Sequence, residues 1–532
     1  MPPLPVIADQ TRGLTSFDWV VVALYACGML GMGLYYARGQ NTTEDYFVGG
    51  GKLNSFAVGI SLFATLLSTI SYLSSPGEMI GKGPMIFTAS LATPIAFVIV
   101  GYLLIPAIMR RRVTSAYELL EEQLGVVPRL LAATIFIAIR LVWMGLMLNL
   151  CAEALVHMLE LEPEAQPWIV LIAGTIAVGY TVLGGLRAVV LTDLVQFLLL
   201  FGGAVLTIVL VTFSMRGFEW IPTEWSPHWD KQPLFSWDPH TRVTVVGSII
   251  SGVVWWTCTA GSDQTAIQRY MATGDAKKAR RSFLVNACAD ISVAVILGLV
   301  GLAVLGFYSA HPELVTSAGG LKENADKLFP QYIANQLPVG ISGLVVVALF
   351  AAVMSSVDSG INAVTAVVLV DYIGRFRQKD VDERSNLRFA RILALCIGAV
   401  IVYLNTVVDK VPGNYVEVAT KTVNLLVAPL FSLFFMALFV RFSTPFGAFW
   451  GAMYGSAAAA LVGYWDLITG SEPLSFLWIG PISLVVSIAV GVPLSLLPTR
   501  DRSQAALYGL NLVAGVLLCV VFWAATRIEA WL

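Results

Sequence analysis

Charge is scarce in this sequence. Asp, Glu, Lys and Arg make up 12% of its 532 residues, against roughly 25% in an ordinary soluble domain, which excludes a surface built for water. Nor does one sign dominate: 32 Lys and Arg face 34 Asp and Glu, a formal net charge of −2, so no nucleic-acid partner is implied. The four histidines, His157, His228, His240 and His311, form no His-x-x-x-His pair or other ligand cluster. There is no Gly-rich phosphate loop of the Walker type, so ATP-driven chemistry has no support and an ion gradient becomes the default energy source. Cys27, Cys151, Cys258, Cys288, Cys396 and Cys519 lie singly in apolar stretches, without metal-ligand spacing, and read as small core residues. The first residues contain Asp9 and Arg12 and lack the charged-then-apolar start of a cleaved signal, so a span beginning at Phe17 is expected to persist.

What the chain has instead is apolar length. Apolar residues make up 57% of it, in unbroken runs such as Leu199–Phe213, Ile291–Phe307 and Leu426–Val440, where a soluble helix would show a single stripe. Counting segments of roughly 20 residues predicts an all-α integral membrane protein of about 14 transmembrane helices. They begin near Phe17, Ser55, Met85, Leu130, Trp168, Val190, Val243, Ser282, Val339, Leu393, Val416, Phe446, Leu477 and Leu507. If the first runs outside to inside, most of the 32 Lys and Arg fall in inner loops, led by Arg110-Arg111-Arg112 and the Arg269–Arg281 loop, while Arg140 and Lys421 lie within spans. That bias predicts a multi-pass cell-membrane protein with both termini outside. The longest hydrophilic stretches, 214–242 and 309–337, are shorter than a typical domain, so the chain is one unit in the lipid bilayer and a functional monomer suffices.

The segment Tyr180-Thr181-Val182-Leu183-Gly184-Gly185-Leu186-Arg187-Ala188-Val189-Val190-Leu191-Thr192-Asp193-Leu194-Val195-Gln196 carries a long, specific pattern: an aromatic-Thr pair, two glycines, Ala-Val, Thr-Asp and Gln. Three more segments follow the same order: Thr43 to Gly50, Thr114 to Glu121, and Met354-Ser355-Ser356-Val357-Asp358-Ser359-Gly360-Ile361-Asn362. In these residues, and in Pro429-Leu430-Phe431 through Gly447-Ala448, the chain resembles the sodium:solute symporter family over about 17–465. The resemblance implies the fold first described for a bacterial leucine transporter, an inverted five-plus-five helix repeat with two broken helices. Here the repeats would be 55–213 and 243–440, with an extra helix and loop at 1–54, an external loop at 214–242 and extra helices at 441–532. The breaks are expected at Ala64–Ser71, ahead of Pro76-Gly77, and at Gly261 in the run Thr257–Gln264. Such interruptions let carbonyls and helix ends bind ions and solute near the bilayer midplane.

Ala352, Ser355, Ser356 and Ser359 fall on one helix face, a pattern that alone would serve close packing. The resemblance assigns it to sodium, the only metal implied: Ala352 by its carbonyl and Ser355 and Ser356 by their hydroxyls, opposite the carbonyls of Ala64 and Leu67. Oxygen ligands suit a hard cation. Asp193, Asp358 and Ser359 form a candidate second cation site by the same resemblance, although Asp358 stands where family members with that site have a hydroxyl residue. That carboxylate would tighten cation binding or titrate and carry a proton. For solute the broken helices offer Ser68, Thr69, Tyr72, Trp256, Thr259, Asp263 and Gln264. Arg140, about ten residues into a span, would either pair with a buried carboxylate such as Asp263, Asp290 or Glu153 or grip a carboxylate of the solute. Ser75-Pro76-Gly77-Glu78-Met79 looks closer to the monocarboxylate, iodide and vitamin branch than to the sugar branch. The expectation is therefore sodium-coupled symport of a small organic solute, carboxylate-bearing by preference, by alternating access, with no cofactor and no enzyme activity. A proton-coupled symporter of the same fold and a non-transporting membrane sensor are the alternatives.

Overall fold

In the computed structural model, residues 15–38, 40, 42–67, 69–158, 161–227, 229–315, 320–376, 383–405 and 415–497 are described. Among the described residues all regular secondary structure is helical. The main helices are α1 (Ser16–Ala37), α2 (Ser55–Leu66), α3 (Thr69–Gly81), α4 (Pro84–Ile108), α5 (Val126–Met158), α6 (Gln166–Ser214), α7 (Val245–Ser262) and α8 (Gln264–Thr273). After them come α9 (Ala276–Ala310), α10 (Ala325–Gln336), α11 (Ile341–Val367), α12 (Glu383–Asn405), α13 (Tyr415–Phe439), α14 (Pro445–Gly463) and α15 (Ile479–Leu494). Among the described residues ten helices are long and apolar enough to cross a membrane. Every predicted span falls on a helix except the one near Leu507, which lies outside the described residues.

Local chemistry sets the breaks. At roughly 1.5 Å per residue, the 49 residues of α6 would reach about 70 Å, over twice a bilayer core of about 30 Å. Gly185 divides it with φ 55° and ψ −166°, and a Cβ there would come within 2.8 Å of Tyr46. Glycine alone takes that conformation in that space, so the two spans expected at Trp168 and Val190 meet end to end. The first predicted span of the repeat is also divided: α2 ends at Leu66, Leu67 is extended (φ −73°, ψ 113°), and α3 resumes at Thr69. The second break lies at Asp263 (φ −76°, ψ 128°), between α7 and α8, not at Gly261 as expected. Gly261 stays helical because it is a packing position: a Cβ there would meet Phe431 at 2.5 Å and Leu104 at 2.9 Å. Asp263 instead caps α8, accepting the Thr265 amide at 2.8 Å, as a short acidic side chain does at a helix start.

The central element is α11, whose span is 83% buried. It packs against α6, α1, α5 and α2, and α2 also lies along α9, where Gly59 meets the Ser282 carbonyl and Val285. The α14–α15 pair is closed by Gly451, Gly455, Ser487 and Gly491, the small-residue contact that lets membrane helices approach. Beside the start of α5, Arg129 joins Glu121 and Asp371, and Arg375 also holds Glu121. Burial would raise the Glu121 carboxyl, but bonds from Arg129 and Arg375 hold it below the usual carboxylate range. The cysteine expectation holds for Cys151 and Cys258, which are buried, but Cys27, Cys288 and Cys396 are exposed on outward helix faces, and Cys519 is outside the described residues.

The start of α11 gives a stability prediction. The buried Asp18 carboxylate of α1 accepts the amides of Gly340 (2.7 Å) and Gly343 (2.8 Å), donors that the α11 N-terminus cannot satisfy itself. Asp18→Ala orphans both, at about 1–3 kcal/mol each. A lowered unfolding temperature in detergent is expected, with Asp18→Asn intermediate and sodium dependence of the surviving protein unchanged. An alanine variant that unfolds with the wild type would refute the tether.

Candidate functional site

The hydroxyl stripe of α11 faces the first break. Ser355 Oγ donates to the Ala64 carbonyl (2.9 Å) and also approaches the Ala352 carbonyl (3.1 Å), while Ser356 Oγ reaches the Thr65 carbonyl (3.1 Å). Ala64, Ala352, Ser355 and Ser356 are thus gathered, all essentially without exposure. Leu67 is the extended residue at the break, and Thr65 is an oxygen donor that the sequence reading did not include. Because α2 stops at Leu66, carbonyls of its last turn lack helical partners and are available to hydroxyls or a cation.

One turn further along α11 lies an ionic cluster. Asp193 is fully buried, and its Oδ2 accepts from Ser61 Oγ (2.5 Å) and Arg269 Nη2 (3.1 Å). Arg269 was expected in an inner loop, yet it too is fully buried, because the break at Asp263 turns α8 inward. Its guanidinium donates to Ser359 Oγ (2.6 Å), Thr65 Oγ1 (2.5 Å), Ser61 Oγ (2.9 Å) and the Thr265 carbonyl (3.1 Å). Asp358 accepts from Tyr180 OH (2.7 Å) and from its neighbour Ser359 through N–H (2.5 Å) and Oγ (3.1 Å). Asp193 Oδ1 is a buried acceptor without a hydrogen-bond partner. Asp193, Asp358 and Ser359 are therefore together, with a guanidinium among them that the sequence reading missed. The signal was the polar Gln268-Arg269 pair between Ile267 and Tyr270, a few residues after the break.

The solute residues divide. A cavity of about 340 Å³ is lined by Trp256, with Phe63, Leu67, Ser71, Ser74, Ser75, Glu78, Trp143, Trp255, Asp290 and Asn424. Adjoining it, a pocket of about 20 Å³ is lined by Arg140, Thr259 and Asp263; Leu66, Trp143, Trp255 and Val423 line both. Arg140 Nη2 bonds Asp263 Oδ2 (2.5 Å) and Thr265 Oγ1 (3.0 Å), whereas Arg140 Nε and Thr259 Oγ1 are buried without partners. Two expected residues are turned away. Gln264 accepts the Ala116 amide (2.6 Å) and donates to the Thr114 carbonyl (2.7 Å), tying α8 to the loop between α4 and α5. Tyr72 is buried against Phe329 and Gly203, outside either lining. Ser68 lies outside the described residues, and Thr69 is placed only as the first residue of α3. Trp143, Trp255, Glu78 and Asp290 also line the cavity and were not among the expected solute residues. At the rim Arg242 grips Glu78 through both nitrogens (2.6 and 3.1 Å) over the Phe476 ring, linking α3 to the approach to α7.

Two broken helices beside one buried hydroxyl-bearing helix, enclosing a cavity within an apolar helical body, define a multi-pass membrane transporter. Residues 46–455 match the sodium:solute symporter family, and the chain belongs to it; sodium is its coupling ion and a solute its cargo. A sodium/sialic acid symporter of Aliivibrio fischeri is 27% identical over 497 residues, spanning 91% of this chain and 93% of that one. The sodium-coupled monocarboxylate transporter 1 of Homo sapiens is 27% identical over 468 residues, 86% of this chain and 75% of its own. A solved sodium-coupled sialic acid symporter, substrate-bound and outward-open with a novel sodium site, shares the fold at TM-score 0.76 and 23% identity, over 90% of this chain and 98% of that one. A nucleobase-cation-symport-1 family transporter in a closed conformation reaches 0.54 at 13% identity, over 86% and 97%.

Proposed function

We propose that the chain carries a small carboxylate-bearing solute with sodium across the cell membrane by alternating access, as a monomer with both termini outside. Its two inverted five-helix repeats would be 55–213 and 243–440, flanked by the segments 1–54, 214–242 and 441–532, with about 14 spans in all. The observation that carries the reading is the meeting of Ser355 and Ser356 with last-turn carbonyls of α2. Sodium there ties the first broken helix to α11, and solute binding to that ordered state is linked reciprocally to sodium binding. Ala64, Leu67, Ala352, Ser355 and Ser356 are its ligands in this reading. The partnerless Asp193 Oδ1, in a cluster of two carboxylates and one guanidinium, supports a second cation at Asp193, Asp358 and Ser359. Arg140, with its unpartnered Nε and its place in the pocket wall, would receive the solute's carboxylate, and the two relatives named for acids favour the same class.

Proteoliposome uptake of labelled carboxylates, amino acids, sugars and inorganic anions, with and without an inward sodium gradient, tests this directly. Uptake driven equally by a proton gradient without sodium would favour the proton-coupled alternative, and binding without uptake the sensor. For Arg140 the expected result is normal membrane levels with the half-saturating solute concentration raised roughly 10- to 100-fold in Arg140→Gln, the equivalent of a lost charge-assisted pair of hydrogen bonds. Arg140→Lys should be milder. Poor expression rescued by Asp263→Asn would make Arg140 structural, and unchanged uptake of an acid would end its solute role.

A further inference from the structure

The cavity walls carry chemistry that an acid alone does not use. Trp143, Trp255 and Trp256 present three indoles to one space, and Asp290 of α9 lines the same space. Asp290 accepts one hydrogen bond, from Thr93 Oγ1 of α4 at 2.7 Å. The other lining carboxylate, Glu78, is matched by the bidentate grip of Arg242, and in the adjoining pocket Asp263 is matched by Arg140. Among the described residues no Lys or Arg lines the larger cavity. Its wall is therefore acidic and aromatic, at a depth where an ionisable group without a function is rarely kept. Carboxylate and indole faces together are the recognition chemistry of an organic cation: the ring faces attract it, and the acid supplies its counter-charge. A plain monocarboxylate would meet repulsion from Asp290 and gain nothing from the indoles beyond contact.

We propose that the solute is a zwitterion, whose ammonium group is received by Asp290 and the three tryptophans while its carboxylate reaches toward Arg140. This rests on the acid-carrying reading above and narrows it: Asp290 becomes the residue that selects among acids.

The test uses pairs matched in shape and differing in the cationic group: glycine betaine against 3,3-dimethylbutanoate, and 4-aminobutanoate against pentanoate. Binding to the purified full chain in sodium is followed by tryptophan fluorescence and by thermal stabilisation. The expected result is that at least one zwitterion binds roughly tenfold more tightly than its partner, that Asp290→Asn removes this preference by weakening the zwitterion while the plain acid, freed of repulsion, binds no more weakly than before, and that Asp290→Glu keeps it. Unfolding temperature without solute reports whether the Asn variant is folded, and the Glu variant keeps the comparison decisive if it is not. Plain acids binding as tightly as zwitterions, or a preference that survives in Asp290→Asn, overturns the proposal while leaving the acid-carrying reading standing. A shift only in sodium affinity in Asp290→Asn also overturns it, because the carboxylate then serves the ion. Binding of neither kind of acid, with neutral solutes binding instead, overturns both.

Discussion

Alanine at both Ser355 and Ser356 will raise the half-saturating sodium concentration roughly 100-fold or more, with protein yield close to wild type. Each hydroxyl offers an oxygen to the cation, and a hydrogen-bonding partner of a charged group contributes about 1.5–3 kcal/mol, so losing two amounts to at least two decades of affinity. Folding should suffer far less. Alanine keeps the narrow face that lets α11 lie against α2, and the carbonyls of Ala64 and Thr65 lose one donor each, which a carbonyl tolerates better than an amide would. Sodium titration of solute uptake in proteoliposomes is the measurement. A wild-type sodium curve in the double variant would remove the ion from this face of α11, and equal loss of yield and of affinity would show packing to be its main role.

What could be read from the sequence was whatever periodicity and composition encode. The apolar runs placed the helices, the spacing put Ala352, Ser355 and Ser356 on one face of α11, and the family resemblance set Ala64 opposite them, while Thr65 was in neither reading. Positions that depend on how the chain turns after a break were not legible. Gly261 looked like the weakest point of α7, but it packs under Phe431, and the interruption falls where Asp263 can cap the next helix. Moving the break by two residues swings α8 inward. It carries Gln264 to the loop between α4 and α5, away from the cavity, and Arg269 from an expected inner loop into a fully buried network. The cavity was illegible for a related reason: Asp290 and Thr93 are far apart in sequence and belong to one site only through the packing of α9 against α4.

The largest effect on the folded protein is expected from Arg269→Gln. Its guanidinium joins Ser61 and Thr65 of α2, Asp193 of α6 and Ser359 of α11, so one side chain bonds three helices from a fourth. Glutamine can replace some of those hydrogen bonds but not the charge, and it leaves Asp193 and Asp358, both without exposure, with no cation bonded to either. Breaking a buried pair in this way costs about 3–5 kcal/mol, a large share of the roughly 5–15 kcal/mol by which a domain is stable. Poor yield and a sharply lowered unfolding temperature are the expected result. Asp193→Asn alone should be milder, because one carboxylate, Asp358, then faces one guanidinium. It is not neutral, since Arg269 loses its direct partner. The decisive measurement is the double variant. Asp193→Asn with Arg269→Gln removes one charge of each sign and keeps similar volumes, a change that is often close to neutral for a buried pair. Its unfolding temperature should therefore recover well above that of Arg269→Gln, giving a strongly non-additive cycle. Additive losses in the two variants would mean that Asp193 and Arg269 are not energetically paired, and the cluster would then have to be held together by its hydroxyls.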